Sequence, residues 1–346
     1  MVVPATGRVG WSYFHYTTKG FLLASQFFIL DKSDDHYIRA LCALGPLGIT
    51  WVPNEILPDI MPLKSSKFRL EDFSQQFGEI IAVNKGSTRL LRSRLIQPTF
   101  TTKKENALEV ISNLAKAIQG RFQEGVFNEY YELFQKVLRV KKINRIYSIS
   151  YKKIYQLMMS LEPIYSTQSY FWVQYGIVAQ LMKDFENANN HLLYAKNIQP
   201  RSYAVKHALA KNTMERCLYS LSRSEEYDEM LFETGKEELV NLIESKYYSD
   251  AYLYSIHTYV DMILKYIKDS GKDMSIGEYA FIQSHLKSLN KHNLDTRMQS
   301  IINRFIEHCE GTGHQKYSNG LNKLSKITAA YVLDEEDYDA DQVDIF

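Results

Sequence analysis

The chain has 346 residues, 45% of them hydrophobic, which is enough for a sizeable core and too many for one small domain. Its net charge of +1 sets no demand for nucleic acid or an anionic membrane. The three cysteines, Cys42, Cys217 and Cys309, are odd in number and far apart, which argues against a disulfide framework and for a reducing, cytoplasmic setting.

Residues 1–35 open the chain with Trp11, Tyr13, Phe14 and Tyr16, then an apolar run near Phe21–Leu30. That run is about half of the ~20 residues a membrane-spanning helix needs. The charged, apolar and small-residue regions of a signal peptide are absent in that order, so the expectation is a soluble protein with no membrane partner. An aromatic segment of this kind must be covered, either by the rest of the chain or by another domain or partner.

Residues 36–100 read as a compact unit. Ile38, Leu41 and Leu44 suit one face of a short helix ending at Gly45. Pro53, followed by Glu55, Ile56 and Leu57, suits the start of a second helix. Leu70 to Phe77 reads as a third. Glu79–Val83 and Thr88–Leu95 then read as strands around Asn84-Lys85-Gly86-Ser87, whose Asn and Gly suit a hairpin turn. Three short helices followed by a hairpin is the element order of a winged helix.

Residues 104–330 change to helical periodicity, favoured also by the scarcity of glycine and proline, 16 and 8 residues. The stripes are Leu108, Ile111, Leu114, Ala115 and Ile118, then Val126, Tyr130, Leu133, Phe134 and Val137. Ile256, Tyr259, Val260, Ile263 and Ile267 form another, and Met298, Ile301, Ile302, Phe305 and Cys309 a last. Spacings of three and four mark amphipathic helices with one buried face. The 25 Tyr and 17 Phe either fill helix–helix interfaces or line an aromatic groove. Residues 331–346 read as an acidic, disordered tail.

The most specific motif spans 169–202. Tyr170–Pro200 reads YFWVQYGIVAQLMKDFENANNHLLYAKNIQP. It fits the tetratricopeptide pattern, with Trp172 at the first aromatic position, Gly176 in place, Phe185 opening a second helix, Ala188, Leu192 and Ala195 following, and Pro200 closing the unit. Tyr175 and Ala179 replace the usual Leu and Tyr. Gly176 and Ala188 are small where two antiparallel helices approach most closely, and Pro200 cannot continue a helix. One repeat cannot bury its face alone, so divergent helical pairs are expected on both sides. Residues 203–236 would be the next in register, where Leu209 and Ala210 fit a first helix and Tyr227 to Leu231 fit a second poorly.

The predicted fold class is therefore mainly α: a tetratricopeptide-like helical-repeat array preceded by a small winged-helix-like α+β unit. This order resembles the carboxy-terminal half of bacterial signal-transduction ATPases with numerous domains (STAND proteins), of the kind used in anti-phage defence. The resemblance lies in Tyr37–Phe100, including Leu90-Leu91-Arg92-Ser93-Arg94-Leu95-Ile96, and in Trp172–Pro200. Leu95 stands where that family often has a histidine. The resemblance implies a sensor or adaptor that binds a protein or peptide, with a separate ATPase or effector chain as a possible partner. In a tetratricopeptide unit the first helix lines the groove, which places Tyr170, Val173, Gln174, Ile177 and Gln180 there, with His207 and Lys211 one repeat on.

The family's ATPase core needs a phosphate loop ending in Gly-Lys-Ser/Thr, and the sequence has none: Glu237 follows Gly235-Lys236 and Asp273 follows Gly271-Lys272. The chain is then either a detached fragment of such a protein or a stand-alone adaptor. No Cys-x2-Cys or His-x3-His pair accompanies His308, Cys309 and His314, so no metal is expected. Asp228 with Glu244-Ser245-Lys246 imitates a nuclease site but falls in a helical stretch. No strained Gly-x-Ser-x-Gly turn is present. The expectation is a protein with no enzyme site and no cofactor. The alternative is a nucleic-acid-binding regulator using Arg89, Arg92 and Arg94 on the predicted wing, with Lys136, Arg139, Lys141, Lys142 and Arg145 following.

Overall fold

The structure is a computed structural model and describes residues 36–61, 68–77, 81–84, 86–90, 104–124, 126, 128–245, 250–289, 294, 296–321 and 324. The expectations for residues 1–35, for Arg92 and Arg94 and for the acidic tail lie outside the described residues. Among the described residues the chain is mainly α, with thirteen α-helices and three short strands. It divides into two compact units, Met1–Tyr165 and Ser166–Phe346.

The first unit opens with α1 (His36–Leu44), which buries every residue except His36 and Arg39. Gly45-Pro46 ends it by turning the chain into a short 3-10 turn, Gly45–Leu47, closed by left-handed Gly48. Strand β1 (Trp51–Pro53), a second 3-10 turn (Leu57–Ile60), α2 (Leu70–Phe77), β2 (Ile81–Val83) and β3 (Ser87–Leu90) follow. The strands form one antiparallel sheet in the order β1-β3-β2, with Val52 opposite Thr88 and Val83 opposite Thr88 on the other side. Thr88 is fully buried and its hydroxyl donates to Asn54 Oδ1 at 2.7 Å.

The second helix expected at Pro53 is instead the end of a strand. Proline lacks an N–H and is tolerated on an edge strand, and β1 is an edge. The helical turn that follows is a single 3-10 turn around Pro58.

Helix α3 (Lys104–Ala117) packs on α1 and on the 3-10 turn of Leu57–Ile60, and Asn113 donates to the Ile60 carbonyl at 3.3 Å. Residue 104 is therefore not the boundary that the change of periodicity suggests. The apolar stripe of α3 is needed to cover the sheet-bearing segment, so the unit continues through α4 (Glu129–Val137), α5 (Val140–Tyr147) and α6 (Tyr151–Tyr165). Phe122, Phe134 and Tyr165 fill its centre, with ring centroids 4.6 and 4.8 Å from Phe134. Val126, placed on the α4 stripe by periodicity, precedes the Asn128 cap and is exposed.

The second unit is α7 (Ser169–Leu181), α8 (Phe185–Ile198), α9 (Tyr203–Ser222), α10 (Glu229–Ser245), α11 (Asp250–Ser270), α12 (Ile276–Lys287) and α13 (Thr296–Gly311). Three residues join α7 to α8, so the two run antiparallel, and Asp184 caps α8 through the Asn187 amide at 3.2 Å. Each helix packs on its successor through α12, and α9, α11 and α13 also pack on one another in turn. Tyr203 bonds Ser255, and four residues on His207 bonds Thr258, so α9 and α11 run in the same direction. Serine caps start α9 at Ser202 and α12 at Ser275, the latter a capping box with Glu278.

Gly176 marks the closest approach of α7 and α8. A methyl group there would stand 2.8 Å from Leu192 Cγ and 3.2 Å from the Ala188 carbonyl oxygen. At the next hairpin the small residue is on the other partner. A methyl on Gly235 of α10 would meet Met214 Cγ at 2.8 Å and the Ala210 carbonyl at 3.0 Å. Ala210 stands one 34-residue period after Gly176. The second helix begins at Glu229, later than that register asks, because α9 runs 20 residues where α7 runs 13. That is why Tyr227 to Leu231 fit the register poorly.

Candidate interaction surface

Helix α7 is apolar on all sides and eleven of its residues are buried. Both α8 and α9 pack on it, and a helix covered from several directions needs no polar stripe. This corrects the expected groove. Tyr170, Val173, Gln174 and Gln180 are buried, at 2%, 5%, 1% and 6% exposure, and His207 on α9 is buried too. They sit inside the helix packing and offer no contact area to a ligand. Ile177 and Lys211 alone of the seven keep partial exposure.

Trp172 is also buried, and its indole N–H donates to the Ser166 carbonyl at 2.7 Å. It begins a stack that continues outward. Tyr194 lies over Trp172 at 4.8 Å, and His191 stacks against both Trp172 and Tyr175, 5.5 and 3.9 Å from their rings. Burial holds the His191 pKa down at about 4, against a weaker upward pull from Asp184.

What the helices α9, α11 and α13 bring together is a polar seam. His207 Nε2 lies 3.1 Å from Thr258 Oγ1, and the His207 ring lies 4.5 Å from Tyr254. Further along, Asp261 accepts from Lys265 at 2.6 Å and from Arg304 of α13 at 2.7 Å. Burial would raise the Asp261 carboxyl, and the hydrogen bonds from Lys265 and Arg304 outweigh it, so its pKa falls below the usual value. Lys211 pairs with Glu215 at 3.5 Å. The seam thus carries Lys211, Glu215, Tyr254, Asp261, Lys265 and Arg304 at partial or full exposure. Lys211–Glu215 and Asp261–Lys265 are four residues apart on one helix; the Asp261–Arg304 pair crosses helices and has no sequence-local signal.

At the far end, Tyr279, His308 and His314 gather on Asp273. The Tyr279 hydroxyl lies 2.8 Å from both Asp273 Oδ1 and His308 Nε2. His308 and His314 approach the same carboxylate at 3.4 and 3.5 Å. Cys309, next to His308 in sequence, points into the core and is fully buried. No group of three metal-ligating side chains able to hold an ion exists among the described residues. The nuclease-like trio separates as well. Asp228 caps the start of α10 through the Leu231 amide at 3.1 Å, while Glu244 is at its end, roughly 25 Å away at 1.5 Å per residue.

In the first unit Arg89 is exposed on β3. The helix before the hairpin, α2, opens with Glu71 and Asp72 and carries no cation. No described helix is long and apolar enough to cross a membrane.

Comparison with known families, curated proteins and solved structures found no match.

Proposed function

We propose that the chain is a non-catalytic protein-binding module, a sensor or adaptor built on a tetratricopeptide-like helical array and a winged-helix-like unit. The observation that carries this reading is the close approach at Gly176, taken up one period later by Ala210 against Gly235. Hairpins whose first helices lie side by side expose a continuous face made by those first helices. The face here is the α9–α11–α13 seam. Its mixed charges suit a polar peptide or protein surface better than a lipid or an apolar small molecule. The resemblance to STAND-type defence ATPases makes a separate ATPase or effector chain the natural partner to try.

The test is a pull-down from the native host with Lys211→Gln and Arg304→Gln together. Arg304 bonds the largely buried Asp261, so some loss of stability is expected, and circular dichroism must show the variant folded before partner loss is read. Loss of a specific partner supports the reading. Retention of every partner overturns the assignment of this face.

The nucleic-acid-binding alternative through the hairpin is favoured by the order helix, strand, helical turn, helix, strand, strand with an exposed Arg89 on the last strand. A recognition helix in that arrangement would be α2, and Glu71 and Asp72 in its first turn would repel phosphate.

A further inference from the structure

The first unit concentrates positive charge in one place. From residue 133 to residue 161 the chain has seven cations, Lys136, Arg139, Lys141, Lys142, Arg145, Lys152 and Lys153, and no Asp or Glu; the first of them, Lys136, pairs with Glu132 just outside the stretch. The whole chain is nearly neutral, so this stretch departs sharply from its background. It forms the end of α4, all of α5 and the start of α6.

The fold places the charges where local electrostatics would not. Lys-Lys-Ile occurs at 141–143 and again at 152–154, in the first turns of α5 and α6. Neither first turn contains an acid. The amino-terminal end of a helix dipole is positive and disfavours cations. Ser148, left-handed at φ 49°, and the Asn144 bond to the Ile149 carbonyl at 2.7 Å fold α6 back beside the end of α5. Arg145 in the last turn of α5, and Lys152 and Lys153 in the first turn of α6, are all exposed. Lys141 lies near enough to the Tyr151 hydroxyl to act on it. Arg139 and Lys142 are buried, at 7% and 3% exposure, with the Lys142 ammonium against the Gly48 turn.

We infer that the α5–α6 corner binds the phosphate backbone of a nucleic acid, through Arg145, Lys152 and Lys153 with Lys141 beside them. A dense run of cations without interspersed acids gains from releasing the counterions of a polyanion. A membrane surface fits less well. A helix lying in a bilayer interface needs a free apolar face, and Ile143, Ile149, Ile154, Leu157 and Met158 are buried in the unit. The interaction is made to backbone phosphate and reads no sequence. It is independent of the protein-binding reading above and of Arg89 on the hairpin.

The experiment is fluorescence anisotropy of the full chain with a labelled mixed-sequence DNA duplex, repeated with an RNA duplex, across a salt series. Parallel arms use polyglutamate and vesicles containing phosphatidylserine. Binding at low salt should weaken as salt rises. Arg145→Gln, Lys152→Gln and Lys153→Gln together should weaken it at least tenfold. The log–log salt slope should flatten by about 3, close to one unit for each phosphate no longer neutralised. Arg89→Ala and the exposed-lysine control Lys206→Gln should change affinity less than twofold. Circular dichroism of the triple variant should match the parent, which separates removal of the phosphate-binding charges from unfolding. The inference is overturned by no binding at low salt, by loss through Arg89 alone, by a folded triple variant that still binds, or by equal affinity for polyglutamate or vesicles.

Discussion

Gly176 on α7 lies against Leu192 on α8 so closely that a single added methyl would stand 2.8 Å from the leucine Cγ. The same methyl would press on the Ala188 carbonyl, which belongs to backbone and cannot swing aside. Glycine costs about 1 kcal/mol in a helix interior relative to alanine. The chain accepts that cost because close approach lets α8 bury Phe185, Ala188, Leu192 and Ala195.

Gly176→Ala should therefore destabilise the second unit, the overlap of about 1–3 kcal/mol outweighing the helix-propensity gain. Adding Leu192→Ala should make the alanine at 176 less harmful than it is alone, since the leucine is what it strikes. Urea unfolding of the two single variants and the double variant measures this coupling. A higher midpoint for Gly176→Ala alone would show that the helices can separate freely.

Tyr170→Ala with Gln174→Ala should unfold the hairpin instead of leaving it intact. Tyr170 is among the largest fully buried side chains, and truncating one of that size costs about 3–5 kcal/mol. Thermal melting gives the answer directly. A melting temperature within a few degrees of the parent would mean these residues face solvent after all.

His191 should make stability depend on acid pH. Its folded pKa is held down at about 4 by burial against Trp172 and Tyr175, below the unfolded value of about 6.5. The unfolded chain therefore binds the proton first. The stabilisation is complete above about pH 6.5 and is lost as pH falls toward 4. Melting followed between pH 7 and pH 4.5 should show a downward slope that His191→Gln reduces. An unchanged slope would assign the acid sensitivity to other groups.

The cysteines should resist labelling in the native state. Burial raises the thiol pKa of Cys42 to about 12, and of Cys217 and Cys309 to about 11, so little thiolate forms at pH 8. Mass spectrometry after a maleimide pulse should show no adduct in buffer and three in denaturant. Rapid native labelling of any one would indicate local opening of its helix.

Much of the architecture is legible from local pattern. Spacings of three and four residues locate α3, α11 and α13, and the buried Met298, Ile301, Ile302, Phe305 and Cys309 are the stripe that periodicity gives. A turn does the same at one end, where Gly45-Pro46 stops the first helix after Leu44. Strand β1 is not legible in this way. Trp51, Val52 and Pro53 are too few to show a period, and only pairing with Arg89, Thr88 and Ser87 makes them a strand.

The sequence by itself determined the mainly helical class, the α7–α8 hairpin and the small residues at its crossing, because these depend on contacts between near neighbours in the chain. Tertiary structure decided which face of each helix stays in water. An amphipathic pattern says that one side is buried, but α7 is covered by both α8 and α9, so Tyr170 and Gln174 are withdrawn while Ile177 and Lys211 stay partly exposed. The pairing of Asp261 with Arg304 and the gathering of His308 and His314 on Asp273 were decided there too. Those partners lie far apart in the chain, and only the packing of the helices and the loops between them fixes which charges meet.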